Sequence, residues 1–87
     1  MQIPGHEAIA DAVLALVNQR GADSSACPSE VARLLAPDQW RALMPQVREV
    51  ASHLAAQGQL EITQRGVAVS PAGPWRGPIR LRRLPEA

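Results

Sequence analysis

Cys27 is the only cysteine in the chain and stands directly before a proline, in the run Ala26-Cys27-Pro28-Ser29-Glu30-Val31. A thiol at the start of a helix feels the positive end of the helix dipole, which favours the thiolate and hence nucleophilic or redox chemistry. Such chemistry also needs a base within reach, and neither histidine, His6 or His53, is tied to Cys27 by any recognisable spacing. A metal centre needs three or four ligands, and these three residues are isolated from one another along the chain. The sequence has no glycine-rich phosphate loop, no paired-cysteine motif and no serine-centred elbow. The expectation is a small apolar cap residue at Cys27, with no catalytic activity, no metal, no cofactor and no small-molecule substrate.

A second group of residues has the chemistry of nucleic-acid recognition. Gln46, Arg48, Ser52 and His53 recur along one arc of the segment from Pro45 to Gln57, and side chains of these types read base edges or grip phosphates. Arg65 beside Gly66, and Arg80, Arg82 and Arg83 near the end, add cations suited to phosphates. Glu49 lies within the same outward arc, where a carboxylate would repel a phosphate. The opposing reading is that Arg48 and Glu49 are solvated helix charges and that Arg80 and Arg82 form the wet face of an edge strand.

Both groups must be carried by regular elements. Ile9, Val13, Leu16 and Val17, widened by Ala10 and Leu14, form a helical stripe over residues 6–20, ended by Gly21. Residues 21–26 read as a polar loop. Pro28 in the first helical position and Glu30 near the dipole open a second helix, which buries Val31, Leu34 and Leu35 before Pro37. Asp38 is the expected cap of a third element with Trp40, Leu43 and Met44 on one side, filling the junction with the second helix. Pro45 then either kinks this element or restarts it, with Val47, Val50, Ala51 and Leu54 inward until Gly58. Beyond that point the period drops to two. Leu60 and Ile62 alternate with Glu61 and Thr63, the chain turns at Arg65-Gly66, and Val67 and Val69 continue a hairpin. Ile79 and Leu81 alternate with Arg80 and Arg82, as in a third short strand or an extended arm. Trp75, in the proline-rich loop before it, either covers the hairpin or serves as a contact anchor.

With 87 residues the chain makes one domain, residues 1–87, of which 71–87 are a basic C-terminal loop and arm. Apolar residues are 46% of the sequence, but there is no Phe or Tyr, so the core is aliphatic and the fold is mainly helical. All nine basic residues are Arg; residues 1–61 are net −3 and residues 62–87 net +4. A single cysteine, the lack of a basic start followed by an apolar run, and the absence of any long apolar stretch point to a cytoplasmic protein away from membranes. Three helices followed by a hairpin define an α+β, mainly α architecture, the winged helix: a helix-turn-helix core with a β-hairpin wing.

Cys27-Pro28-Ser29-Glu30-Val31-Ala32, Trp40-Arg41 with Leu43-Met44-Pro45 and Val47-Arg48, Ile62-Thr63-Gln64 with Gly66, and Gly77-Pro78-Ile79-Arg80 together carry a resemblance. From Ile9 to Leu84 the sequence resembles the bacterial family called domain of unknown function 3253. That resemblance implies a winged-helix-like fold and implies no activity or functional residues. The leading expectation is therefore binding of double-stranded DNA, in the manner of a transcription regulator, through the third helix, the Arg65 wing and the Arg80–Arg83 arm. The alternative is a non-catalytic protein-interaction module, for example a homodimer, using apolar surface near the first helix or Trp75.

Overall fold

A computed structural model of the chain describes residues 5–21 and 24–84. Ala22 and Asp23 of the expected polar loop, and Glu86, the acid of the C-terminal part, lie outside the described residues. Three helices, α1 (His6–Arg20), α2 (Pro28–Leu35) and α3 (Trp40–Ala56), are combined with four short strands, β1 (Ser25–Ala26), β2 (Glu61–Gln64), β3 (Val67–Ala68) and β4 (Arg80–Arg82). The class is α+β, as the change of period in the sequence indicates.

The core is aliphatic throughout. Ile9, Val13, Leu16 and Val17 of α1 meet Val31 and Ala32 of α2, Leu43, Val47, Val50, Ala51 and Leu54 of α3, and Leu60, Ile62, Ile79 and Leu81 below them. The 3.6-residue stripes of α1 and α3 are thus buried as their spacing requires. Leu34 is the exception: it is 67% exposed, because α2 is short and buries Pro28, Val31 and Ala32 on its inner side. α3 runs unbroken through Pro45, which is exposed at its sixth position; the missing N–H leaves one carbonyl a turn earlier without its helical donor. The residue before α3 is Gln39, and no side chain caps it, so Asp38 does not take the expected role.

The sheet is antiparallel in the order β1-β4-β2-β3. Two features differ from the sequence expectation. Ser25–Ala26 is a strand rather than loop, and β4 is an inner strand, paired with β1 on one side and β2 on the other. Ala26, Leu81 and Ile62 stand opposite one another across these three strands, all at most 1% exposed. Thr63 is also buried, at 3%, so the alternation in β2 does not leave its second face fully wet. β2 and β3 close through a two-residue turn in which Arg65 (φ 53°) and Gly66 (φ 80°) are both left-handed, the geometry that matches the twist of a tight hairpin.

Because Leu81 sits at the centre of the row that joins the sheet to the helices, Leu81→Ala is expected to destabilise the fold by about 3 kcal/mol. Leu34→Ala should change stability by less than about 0.5 kcal/mol. Urea denaturation of the two variants measures both, and equal losses would contradict this assignment of the core.

Candidate nucleic-acid interface

The eight residues expected to meet nucleic acid are distributed over α3, the hairpin turn and β4, and the structure uses them in different ways. On α3, Gln46 and His53 are exposed. Arg48 is half-buried: its Nη2 donates to the Gly77 carbonyl at 3.2 Å and its guanidinium lies 5.6 Å from the centre of the Trp75 ring. Ser52, one turn on, donates its hydroxyl proton to the Pro71 carbonyl. These two residues therefore fasten the 70–78 loop along α3. The indole N–H of Trp75 donates to the Ser70 carbonyl at 2.8 Å, which holds the loop closed on itself.

Arg65 is exposed at the tip of the hairpin. Arg80 and Arg82 belong to the sheet. Arg80 donates to both the hydroxyl and the carbonyl of Ser25 in β1, each at 2.9 Å. Arg82 forms an ion pair with Glu61, which stands directly opposite it in β2. Arg83, half-buried, follows the end of the strand. Arg48, Arg65 and Arg80 do not form one uncommitted basic face, since two of the three are hydrogen-bonded within the fold.

Three arrangements have no counterpart in the sequence reading. His6 and His53, separated in sequence, bring their rings to 5.5 Å, tilted by 44°. Beside them a groove of about 200 Å³ runs between the start of α1 and α3, lined by Gly5, His6, Ile9, Gln46, Glu49 and Val50. Glu49 therefore borders α1, about 100° around the helix from Arg48, which faces the loop. At the other end of α3, the guanidinium carbons of Arg33 and Arg41 lie 4.2 Å and 4.5 Å from the centre of the Trp40 ring. Trp40 is half-buried and packs against the core, as expected for the junction of α2 and α3, yet it also carries two cations. The Trp-Arg dipeptide was visible in the sequence. The approach of Arg33 depends on the tight α2–α3 corner, which no local pattern encodes.

Cys27 is the residue before α2, and no group of three or more His, Cys, Asp or Glu side chains suited to a metal occurs among the described residues. Its backbone N–H donates to Glu30 Oε2 at 2.7 Å, and Ser29 Oγ lies 3.1 Å from its sulfur. Glu30 also forms an ion pair with Arg20 at the end of α1. The Arg20 guanidinium, and then the Cys27 N–H, hold the Glu30 carboxyl below its ordinary pKa. Both stabilise the charged form, so the contribution is present above the unfolded-state pKa and is lost as pH falls through the lower folded value. Glu30→Gln should therefore lower stability at neutral pH by about 1 kcal/mol, with wild type and variant converging in acid. Cys27→Ser should leave stability nearly unchanged at any pH, since serine also suits a cap. Thermal melts of the three proteins from neutral to acidic pH test both expectations.

No curated protein matches the sequence. A family model described as protein of unknown function DUF3253 matches residues 6–84, nearly the whole chain, and the protein belongs to that family.

Proposed function

We propose that the chain is a winged-helix domain that binds double-stranded DNA. The path of the chain carries this reading. A helix, a short strand, two helices joined by a tight corner and a hairpin follow in order, and the last strand returns to pair with the first. In a helix-turn-helix of this kind the second helix of the pair enters the major groove, which here is α3. Gln46 is its exposed side chain suited to base edges, with His53 further along.

The phosphate contacts fall to cations that the fold does not use. Arg65 is the clearest of them. The first residue of a two-residue hairpin turn with both φ values positive is most readily Asn, Asp or Gly, whereas a side chain such as Arg costs roughly 1 kcal/mol in that conformation. A charged side chain held at a hairpin tip against this preference supports a contact role. Arg76 is exposed in the adjoining loop, whose backbone is anchored where Gln64 Nε2 donates to the Arg76 carbonyl at 2.7 Å. Neither Arg65 nor Arg76 has an ion-pair partner among the described residues.

A second reading, self-association or protein contact, is favoured by Leu34 and Val67, each 67% exposed. Monomeric sedimentation of the concentrated protein would oppose the self-association form of it.

DNA binding is tested by titrating a mixed-sequence duplex at low salt. Neutralisation of about four phosphates gives log affinity against log salt a slope near −3.6. Arg65→Asn should reduce the magnitude of that slope by about 0.9 while raising thermal stability, because asparagine accepts the turn conformation. Absence of binding, or binding indifferent to salt, would overturn the proposal.

A further inference from the structure

We infer that Arg33, Trp40 and Arg41 form a phosphate grip at the corner of α2 and α3, which takes the sugar-phosphate backbone of one DNA strand. The inference rests on the DNA-binding reading and adds to it a contact region at the opposite end of α3 from the hairpin and its loop.

Two guanidinium groups are gathered on one half-buried indole, at 4.2 Å and 4.5 Å from its centre. Their charged carbons are therefore less than about 9 Å apart, a separation at which like charges repel unless solvent or a counterion screens them. The ring favours each cation through its negative face, so its energetic role is to hold together two groups that would otherwise separate. Among the described residues no carboxylate forms an ion pair with either. Asp38, in the turn between the helices, is exposed and pairs with neither, and Glu30 and Glu61 are paired with Arg20 and Arg82 instead.

What stacking leaves available decides the kind of ligand. A guanidinium has five N–H donors in one plane and a ring face accepts none of them as an ordinary hydrogen bond, and neither Arg33 nor Arg41 donates to an acceptor among the described residues. Two planar donor forks held on one ring match the anionic oxygens of a phosphate backbone, which Arg binds through paired hydrogen bonds. The indole is already engaged by the two cations, so an unpaired base stacking on it is the poorer fit.

Position points to a nucleic-acid backbone. Arg41 is the second residue of α3, and Arg48 lies two helical turns beyond it on nearly the same face, where it holds Gly77 next to Arg76. The corner cluster and the Arg76 loop thus mark opposite ends of one side of α3. A duplex whose major groove receives this helix presents phosphates at both ends.

The double variant Arg33→Gln/Arg41→Gln and the variant Trp40→Leu separate charge from positioning. Each is titrated with a mixed-sequence DNA duplex across a salt series and with poly-glutamate at low salt, after a thermal melt has verified folding. The double variant is expected to bind DNA about tenfold more weakly at moderate salt, with the slope reduced in magnitude by about 1.8. Trp40→Leu keeps both charges, so it should weaken binding while leaving the slope close to that of the wild type. A double variant with unchanged affinity and slope overturns the grip and leaves the DNA-binding reading in place. A wild type that binds no duplex overturns both, and poly-glutamate bound as tightly as DNA, with the same loss in the double variant, overturns the assignment of the ligand.

Discussion

The three-residue strand β4 must pair on both sides, and most of the architecture follows from that requirement. Leu81 faces inward between Ala26 and Ile62, so one side chain closes a row that joins the strand before α2 to the strand after α3. With about 60 to 65% of its unfolded surface buried at this size, a domain has little redundancy in its core, and a short central strand is where one position matters most. Ser25 reinforces the join from the outer side. Its carbonyl accepts hydrogen bonds from Arg20 at the end of α1 and from Arg80 in β4. Glu30, paired with that same Arg20, fixes the first turn of α2. The end of α1, the start of α2 and the last strand therefore share one polar junction beside the aliphatic core.

This arrangement also decides which cations are available at the surface. An inner strand with alternating Arg residues cannot behave as a free basic arm, because neighbouring strands bring their own polar groups alongside. Arg82 faces Glu61 across a ladder, a pairing worth no more than about 1 kcal/mol at this degree of exposure but sufficient to orient the side chain. The return of the chain into the middle of the sheet draws the 70–78 loop over α3, where Arg48 and Ser52 hold it. Arg33, Arg41, Arg65 and Arg76 stand outside this internal network of hydrogen bonds and ion pairs.

Much of the fold was legible in the sequence because it is written in local periodicity. The helical stripes of α1 and α3, the proline opening of α2, the turn at Arg65-Gly66 and the alternation at Ile79 and Leu81 each depend on residues within one or two turns. The two-residue β1 was not legible, since Ser25 and Ala26 are strand only because β4 pairs with them. The exposure of Leu34 likewise depends on how far α2 rotates against its neighbours. At the candidate interface, residue types were readable but partners were not. Arg48 and Gln46 are two positions apart, yet one meets a loop almost 30 residues later and the other lines a groove with α1. Contacts such as His6 with His53 and Arg33 with Trp40 cross between elements, and no period in the sequence reports them.

The composition explains why the aromatic residues matter at the surface rather than in the centre. Among the described residues sixteen buried aliphatic side chains fill the interior, and both tryptophans are left half-buried at its margin. Each then has ring surface available to a cation: Trp40 takes Arg33 and Arg41, and Trp75 takes Arg48. A lysine ammonium in these places would be more strongly hydrated, so the exclusive use of Arg in this chain suits cations held close to a ring. The two rings differ in what they leave for a ligand. Over Trp75 the guanidinium also donates to Gly77 and closes the loop onto α3. Over Trp40 the two guanidiniums have no acceptor among the described residues, so the same contact that is structural at one end of the helix leaves a concentrated positive charge at the other.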